Sequence, residues 1–179
     1  MESKKETMTV LVVEPGKYPY RKEIPSTLKA MQSVVGGLIE IVYPWPDSRA
    51  VVVCNDEGLI NKLPLNRYLP TINSAIYGTF FICDGADDDL HALCDEDLAK
   101  YEQLFHSPEF FWMQNGRLFI YRCRPEEYTS LMSKQLSARQ DPDCGRTAYP
   151  IDRGPALRGG FHRPRDAGLA GRLAANDRR

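Results

Sequence analysis

The chain has 179 residues and a formal net charge of −1, long enough to bury a core without metal or disulfide support. No apolar run approaches the roughly 20 residues that span a bilayer. The charge is nonetheless unevenly placed: residues 134–179 hold ten Lys+Arg against five Asp, a net of +5, so residues 1–133 carry −6. Residues 134–179 also hold six Gly and four Pro with few large apolar residues. The sequence therefore divides into a globular domain, 1–133, and a basic Gly/Pro/Arg-rich tail, 134–179, that buries too little apolar surface to offset chain entropy and reads as disordered.

In chain order, Met8–Val13 (MTVLVV) is a strand ending at the Pro15-Gly16 turn signal, and Tyr18–Ile24 returns as the second arm of a hairpin. Ser26 is a good helix N-cap for the helical spacing of Leu28, Met31, Val34 and Val35, and Gly36 suits the left-handed C′ position. Leu38–Tyr43 is a second strand signal, broken by Pro44 and Pro46. Ala50–Cys54 (AVVVC) reads as a central strand, followed by a turn at Asn55–Gly58 with glycine at a positive φ, a short return strand through Leu59 and Ile60, and an exit at Pro64. Ile76–Cys83 is a further strand in which Gly78 marks a bulge or close approach.

Asp84–Asp89 is an acidic loop, and Asp95–Phe105 an amphipathic helix with acids in its first turn, where the helix dipole favours them. Asn115-Gly116 between apolar runs predicts a hairpin over Glu109–Tyr121, with helical continuation as the competing reading. Glu126–Leu136 has material for a helical turn or two. The fold class is α+β: a mixed, mostly antiparallel sheet of about five to seven short strands with two helices.

The five cysteines (Cys54, Cys83, Cys94, Cys123, Cys144) are odd in number, and the N-terminal MESKKETM is charged rather than a secretory apolar segment. A reducing cytoplasm is the expected compartment, with most thiols acting as small buried hydrophobes.

Several constellations give way to plainer readings. Ser26-Thr27-Leu28-Lys29 matches S-x-x-K but lacks the companion S-D-N and K-T-G motifs, so helix capping outweighs nucleophilic chemistry. Cys83, His91, Cys94 and His106 form C-x7-H-x2-C-x11-H, without the tight ligand pairs of structural zinc sites. Asp84, Asp87, Asp88 and Asp89 do not fit the calcium-loop pattern from either start. The phosphate-loop, dinucleotide, zinc-peptidase and serine-hydrolase motifs are absent, and three histidines leave few bases near neutral pH. No catalytic residue, metal or cofactor is expected. Nucleic-acid binding is confined to the tail, whose five aspartates and sparse aromatics weigh against it.

What remains is CNDEGLINKLPLNR, Cys54–Arg67. Turn chemistry accounts for Asn55–Gly58, but Asn66-Arg67 beside Pro64 also offers an amide and a planar guanidinium suited to a carboxylate, phosphate or base edge.

Taken with VLVVEPG (Val10–Gly16), VGG (Val35–Gly37) before IEIVYP (Ile39–Pro44), and GTFFI (Gly78–Ile82), that stretch resembles the domain of unknown function 3846 family over about residues 8–125. The resemblance implies an origin in phages and mobile elements of gut-type Firmicutes, a bacterial cytoplasmic location, and no particular activity. It also implies that Asn55, Glu57, Gly58, Asn61, Leu63, Pro64, Asn66 and Arg67 are a family hallmark.

The expected function is non-catalytic binding or regulation, engaging a host protein or a small anionic, nucleotide-like ligand through Asn55, Glu57, Asn61, Asn66 and Arg67. Two alternatives stand beside it. One is an unfamiliar enzyme acting on a nucleotide or peptide, with Asp56 or Glu57 as base. The other is an acidic decoy of a host DNA-binding protein, favoured by the −6 of residues 1–133.

Overall fold

A computed structural model describes residues 6–86 and 89–140. Its centre is a five-stranded sheet built from β1 (Thr7–Val13), β2 (Tyr20–Pro25), β3 (Ile39–Val42), β4 (Ala50–Asn55) and β7 (Phe80–Asp84), in the order β2-β1-β7-β4-β3. A ribbon of β5 (Leu65–Leu69) and β6 (Ser74–Tyr77) and a second of β8 (Glu109–Gln114) and β9 (Arg117–Arg122) complete the strands. Every pairing among them is antiparallel. Among the described residues three α-helices, α1 (Leu28–Val35), α2 (Asp95–Leu104) and α3 (Pro125–Gln140), make the fold α+β.

The continuous apolar character of MTVLVV, AVVVC and FFIC follows from coverage of the central sheet on both faces. On one face Val10, Val12, Val51, Val53 and Phe81 pack with Met31 and Val35 of α1. On the other, Leu11, Val13, Val52, Phe80 and Ile82 pack with Leu98, Tyr101 and Phe105 of the α2 segment and with Leu69 and Ile76 of the β5–β6 ribbon. Strands buried on two faces lose the polar alternation of a half-exposed sheet. Thus β7, the middle strand, and β4 beside it are buried almost throughout.

Local chemistry sets the ends of the elements. Gly36 closes α1 at φ 76°, donating to the Gln32 carbonyl, as a left-handed cap requires. Asn115 and Gly116, at φ 50° and 73°, form the two-residue turn that fixes the β8–β9 register, with Gln114 opposite Arg117.

Five sequence expectations are corrected. The α1 cap is Thr27, whose hydroxyl accepts from Ala30 N, and not Ser26. Ile76–Cys83 is not one strand: Gly78, at φ 73°, turns the chain out of β6 and into the central sheet as β7. Leu59 and Ile60 do not return along β4; they lie in a turn, and the next strand, β5, pairs with β6. Gly58 does not hold a positive φ; a Cβ there would stand 2.9 Å from Tyr77 Cβ, so close approach selects glycine. The segment after Pro125 is a helix of 16 residues that crosses residue 133 and continues to Gln140. The expectation of disorder beyond Gln140 lies outside the described residues.

Candidate functional site

The five residues expected to form one binding loop lie in two different environments. Asn55 ends β4, buried, where its Nδ2 donates to the Val35 carbonyl at 3.3 Å and its Oδ1 accepts from Glu57 N at 2.9 Å. A Cβ on Gly37 would come within 2.6 Å of that Nδ2. Asn55 therefore ties the end of α1 to β4 and starts the following turn, and its amide is committed to backbone.

From Asn55 the chain winds into a tight, helix-like turn. Gly58 N donates to Asn55 O, Asn61 N to Glu57 O, Lys62 N to Leu59 O and Leu63 N to Gly58 O, over 2.8–3.3 Å. Asp56 N is anchored on Leu38 O at 2.9 Å, and Lys62 accepts φ 53° to leave the turn. Asp56, Glu57, Asn61 and Lys62 are exposed around it. At its tip, Leu59 is 66 % and Ile60 77 % exposed, the highest values among the exposed large hydrophobic residues described.

Asn66 and Arg67, by contrast, are interior residues of β5, 0 % and 1 % exposed. The Asn66 amide donates to Val13 O at 2.9 Å and to Gly78 O at 2.7 Å, bridging the end of β1 to the turn between β6 and β7. Arg67 directs Nε and Nη2 to Phe105 O at 3.4 and 3.1 Å, Nη2 also to Lys17 O at 2.9 Å, and Nη1 to Asn66 O and Oδ1 at 3.2 and 2.9 Å. Five contacts match the five N–H groups of a guanidinium. Burial lowers its pKa to about 10, against the opposing influence of Glu109.

Glu109 is itself buried, accepting from Tyr68 N at 2.7 Å and from Arg122 Nε at 3.3 Å. The expectation of Asn66 and Arg67 as ligand-facing groups is thereby corrected. Their donors are spent on backbone oxygens and each other, and they clamp the β1–β2 turn, β5 and the end of α2 together. Glu57 and Asn61 are the expected site residues that reach solvent.

The other sequence constellations do not converge. Cys83 is buried on the α1 face of the sheet, the Cys94 thiol caps α2 by accepting from Asp97 N, and His106 stacks on Tyr18 at 4.6 Å between ring centroids. Among the described residues no group of three or more His, Cys, Asp or Glu could hold a metal ion. Among them, too, no helix is long and apolar enough to cross a membrane.

Sequence reasoning missed the exposed pair at the turn tip because Leu59 and Ile60 resemble the start of a strand. The distinguishing signal is spacing: two apolar residues between Gly58 and Asn61 are too few to return along a six-residue strand.

A family model described as Domain of unknown function (DUF3846) matches residues 8–106, more than half of the chain. The match takes in the central sheet, α1, the 56–62 turn, the Arg67 clamp and α2, and ends before β8. No curated protein and no solved structure matches the chain.

Proposed function

Because the chain belongs to the DUF3846 family, whose description carries no activity, we propose its function from the geometry: non-catalytic binding of a host protein through the 56–62 turn, on behalf of a phage or mobile element in a bacterial cytoplasm. The observation that carries this reading is the pairing of Leu59 and Ile60 at the tip of a turn held by its own backbone hydrogen bonds. Such a turn needs little ordering on binding, so apolar contact at its tip is opposed by little lost entropy. Glu57, Asn61 and Lys62 supply a polar rim around the apolar centre, the usual anatomy of a protein contact. A protein partner is favoured over a small anion because the guanidinium that would have held the anion is enclosed in the clamp.

The test places a photoreactive residue at position 60 of the full chain, with position 22 on exposed β2 as the control, and illuminates host lysate. A discrete adduct from position 60, absent from position 22 and abolished by Leu59→Asp with unchanged melting, is the expected result. Equal labelling at both positions, or an adduct indifferent to Leu59→Asp, overturns the reading.

A further inference from the structure

Strand β9 reads RLFIYR, and all six of its residues are exposed. It pairs with β8 on one side, and its other edge meets no strand among the described residues. Leu118 and Ile120 lie on one face of the ribbon, Phe119 and Tyr121 on the other, with exposures of 43, 37, 38 and 47 %. A strand that is apolar on both faces has the composition of a sheet interior. An open edge of that kind is normally blunted by charge, proline or a bulge; here Arg117 and Arg122 stand only at its ends, and the register with β8 runs unbroken from Glu109 to Gln114.

The hairpin geometry specifies which groups are open. In a two-residue hairpin the closing pair, Gln114 and Arg117, is hydrogen-bonded, and bonding then alternates along the antiparallel ladder. The N–H and C=O groups of Arg117, Phe119 and Tyr121 consequently face β8. Those of Leu118, Ile120 and Arg122 face outward.

We propose that this edge pairs with the same edge of a second copy of the chain, antiparallel about a two-fold axis through Ile120, to form a continuous β8-β9-β9-β8 sheet. In that register Ile120 meets Ile120, Leu118 meets Arg122 and Phe119 meets Tyr121 across the axis. All three outward-facing residues of each copy are then paired with outward-facing residues of the other, which is the self-complementarity that a two-fold interface demands. The charges are compatible: the register sets Arg117 opposite Cys123 and leaves no two arginines directly opposed, while Arg122 keeps its own Glu109 at 3.3 Å.

An acidic extended peptide is the less favoured occupant, because Arg122 is already matched by Glu109 and Arg124 by Glu127. Aromatic side chains offer about 150–250 Å² each, so exposures near two fifths place the four apolar side chains of β9 at roughly 300 Å² per copy. A standard interface buries about 800 Å² per partner. The dimer is accordingly weak and concentration-dependent. This surface is separate from the 56–62 turn, so either reading can fail without the other.

Sedimentation equilibrium of the full chain over a wide concentration range should show reversible dimerisation. Ile120→Pro removes an outward N–H without touching the β8 ladder, and Ile120→Lys brings two cations together on the axis; each should leave the chain monomeric. Because a variant can also fail by misfolding, hydrogen exchange on the unaltered chain provides the second readout. Protection of the Leu118, Ile120 and Arg122 amides should rise with concentration, while that of Arg117, Phe119 and Tyr121 stays constant. A monomer at every concentration, a dimer retained by both variants, or protection that does not alternate along β9 overturns the proposal.

Discussion

Replacing Arg67 by alanine separates an interior clamp from a surface ligand group by the size of the stability change. Arg67 is 1 % exposed, and its guanidinium supplies the carbonyls of Lys17, Asn66 and Phe105 and the Asn66 side-chain oxygen. Each buried acceptor left without a donor costs about 1–3 kcal/mol, reduced where water enters the vacated space. Because this chain of costs is partly offset by relaxation, the expected loss for Arg67→Ala is about 3–5 kcal/mol, comparable to breaking a buried ion pair. That is a large part of the roughly 5–15 kcal/mol that stabilises an ordinary domain. With urea slopes of about 1–3 kcal/mol per molar, the unfolding midpoint should fall by about a molar or more.

Arg67→Lys should recover only part of the loss, since one ammonium cannot span carbonyls that a planar fork reaches together. The assay is urea unfolding followed by far-ultraviolet circular dichroism and tryptophan fluorescence, whose coincidence tests two-state behaviour. A surface arginine would change stability by less than about 0.5 kcal/mol. A folded Arg67→Ala chain with a loss below about 1 kcal/mol would refute the clamp.

Two further expectations concern local and pH-dependent stability. Thr27→Ala should cost about 1 kcal/mol because Thr27 caps α1, whereas Ser26→Ala should stay within about 0.5 kcal/mol, and equal effects in urea unfolding would contradict the cap assignment. Burial, with the charges of Glu40 and Asp56, pushes the Cys54 thiol up to about 12, and burial raises Cys83 likewise, from an ordinary value of 9.0. The unfolded chain therefore releases protons above pH 9 that the folded chain retains, so the stability present below pH 9 is lost as pH rises toward 12. Arg67 acts in the opposite sense, but only above its folded value of about 10. The urea midpoint should thus decline between pH 9 and 10, and the decline should flatten in Cys54→Ala/Cys83→Ala; an unchanged slope would contradict the assignment.

The parts of the fold governed by local rules were readable in advance. Asn115-Gly116 specified a hairpin because few other residues tolerate two successive positive φ values, and Gly36 ended α1 for the same reason. The continuous apolar run AVVVC marked a central strand, but that both faces of its sheet are covered, and by which helix, appears only in the packed structure. What stayed hidden was set by partners distant in sequence. Nothing local in LNRYL distinguishes an arginine facing solvent from one whose donors meet Lys17 and Phe105. The run IYGTFFIC reads as one strand interrupted at most by a bulge at Gly78, and packing in three dimensions makes that glycine a break between two sheets. For the candidate site, polarity was a poor guide: the residues most suited to a ligand by type were needed inside, and the turn that reaches solvent is tipped with leucine and isoleucine.

The clamp also bears on the order in which the chain assembles. The carbonyls that Arg67 serves at Phe105 and Lys17 lie 38 and 50 residues away along the sequence. Until both segments have arrived, the guanidinium is better left hydrated than enclosed. Closing such distant loops comes at the expense of chain entropy before the contact can return any stabilisation. Arg67 is therefore positioned to lose its water late, after the hairpin of β1 and β2 and the end of α2 have docked. In kinetic terms it should act as a latch: folding and unfolding rates measured against urea should show Arg67→Ala accelerating unfolding more than it slows folding.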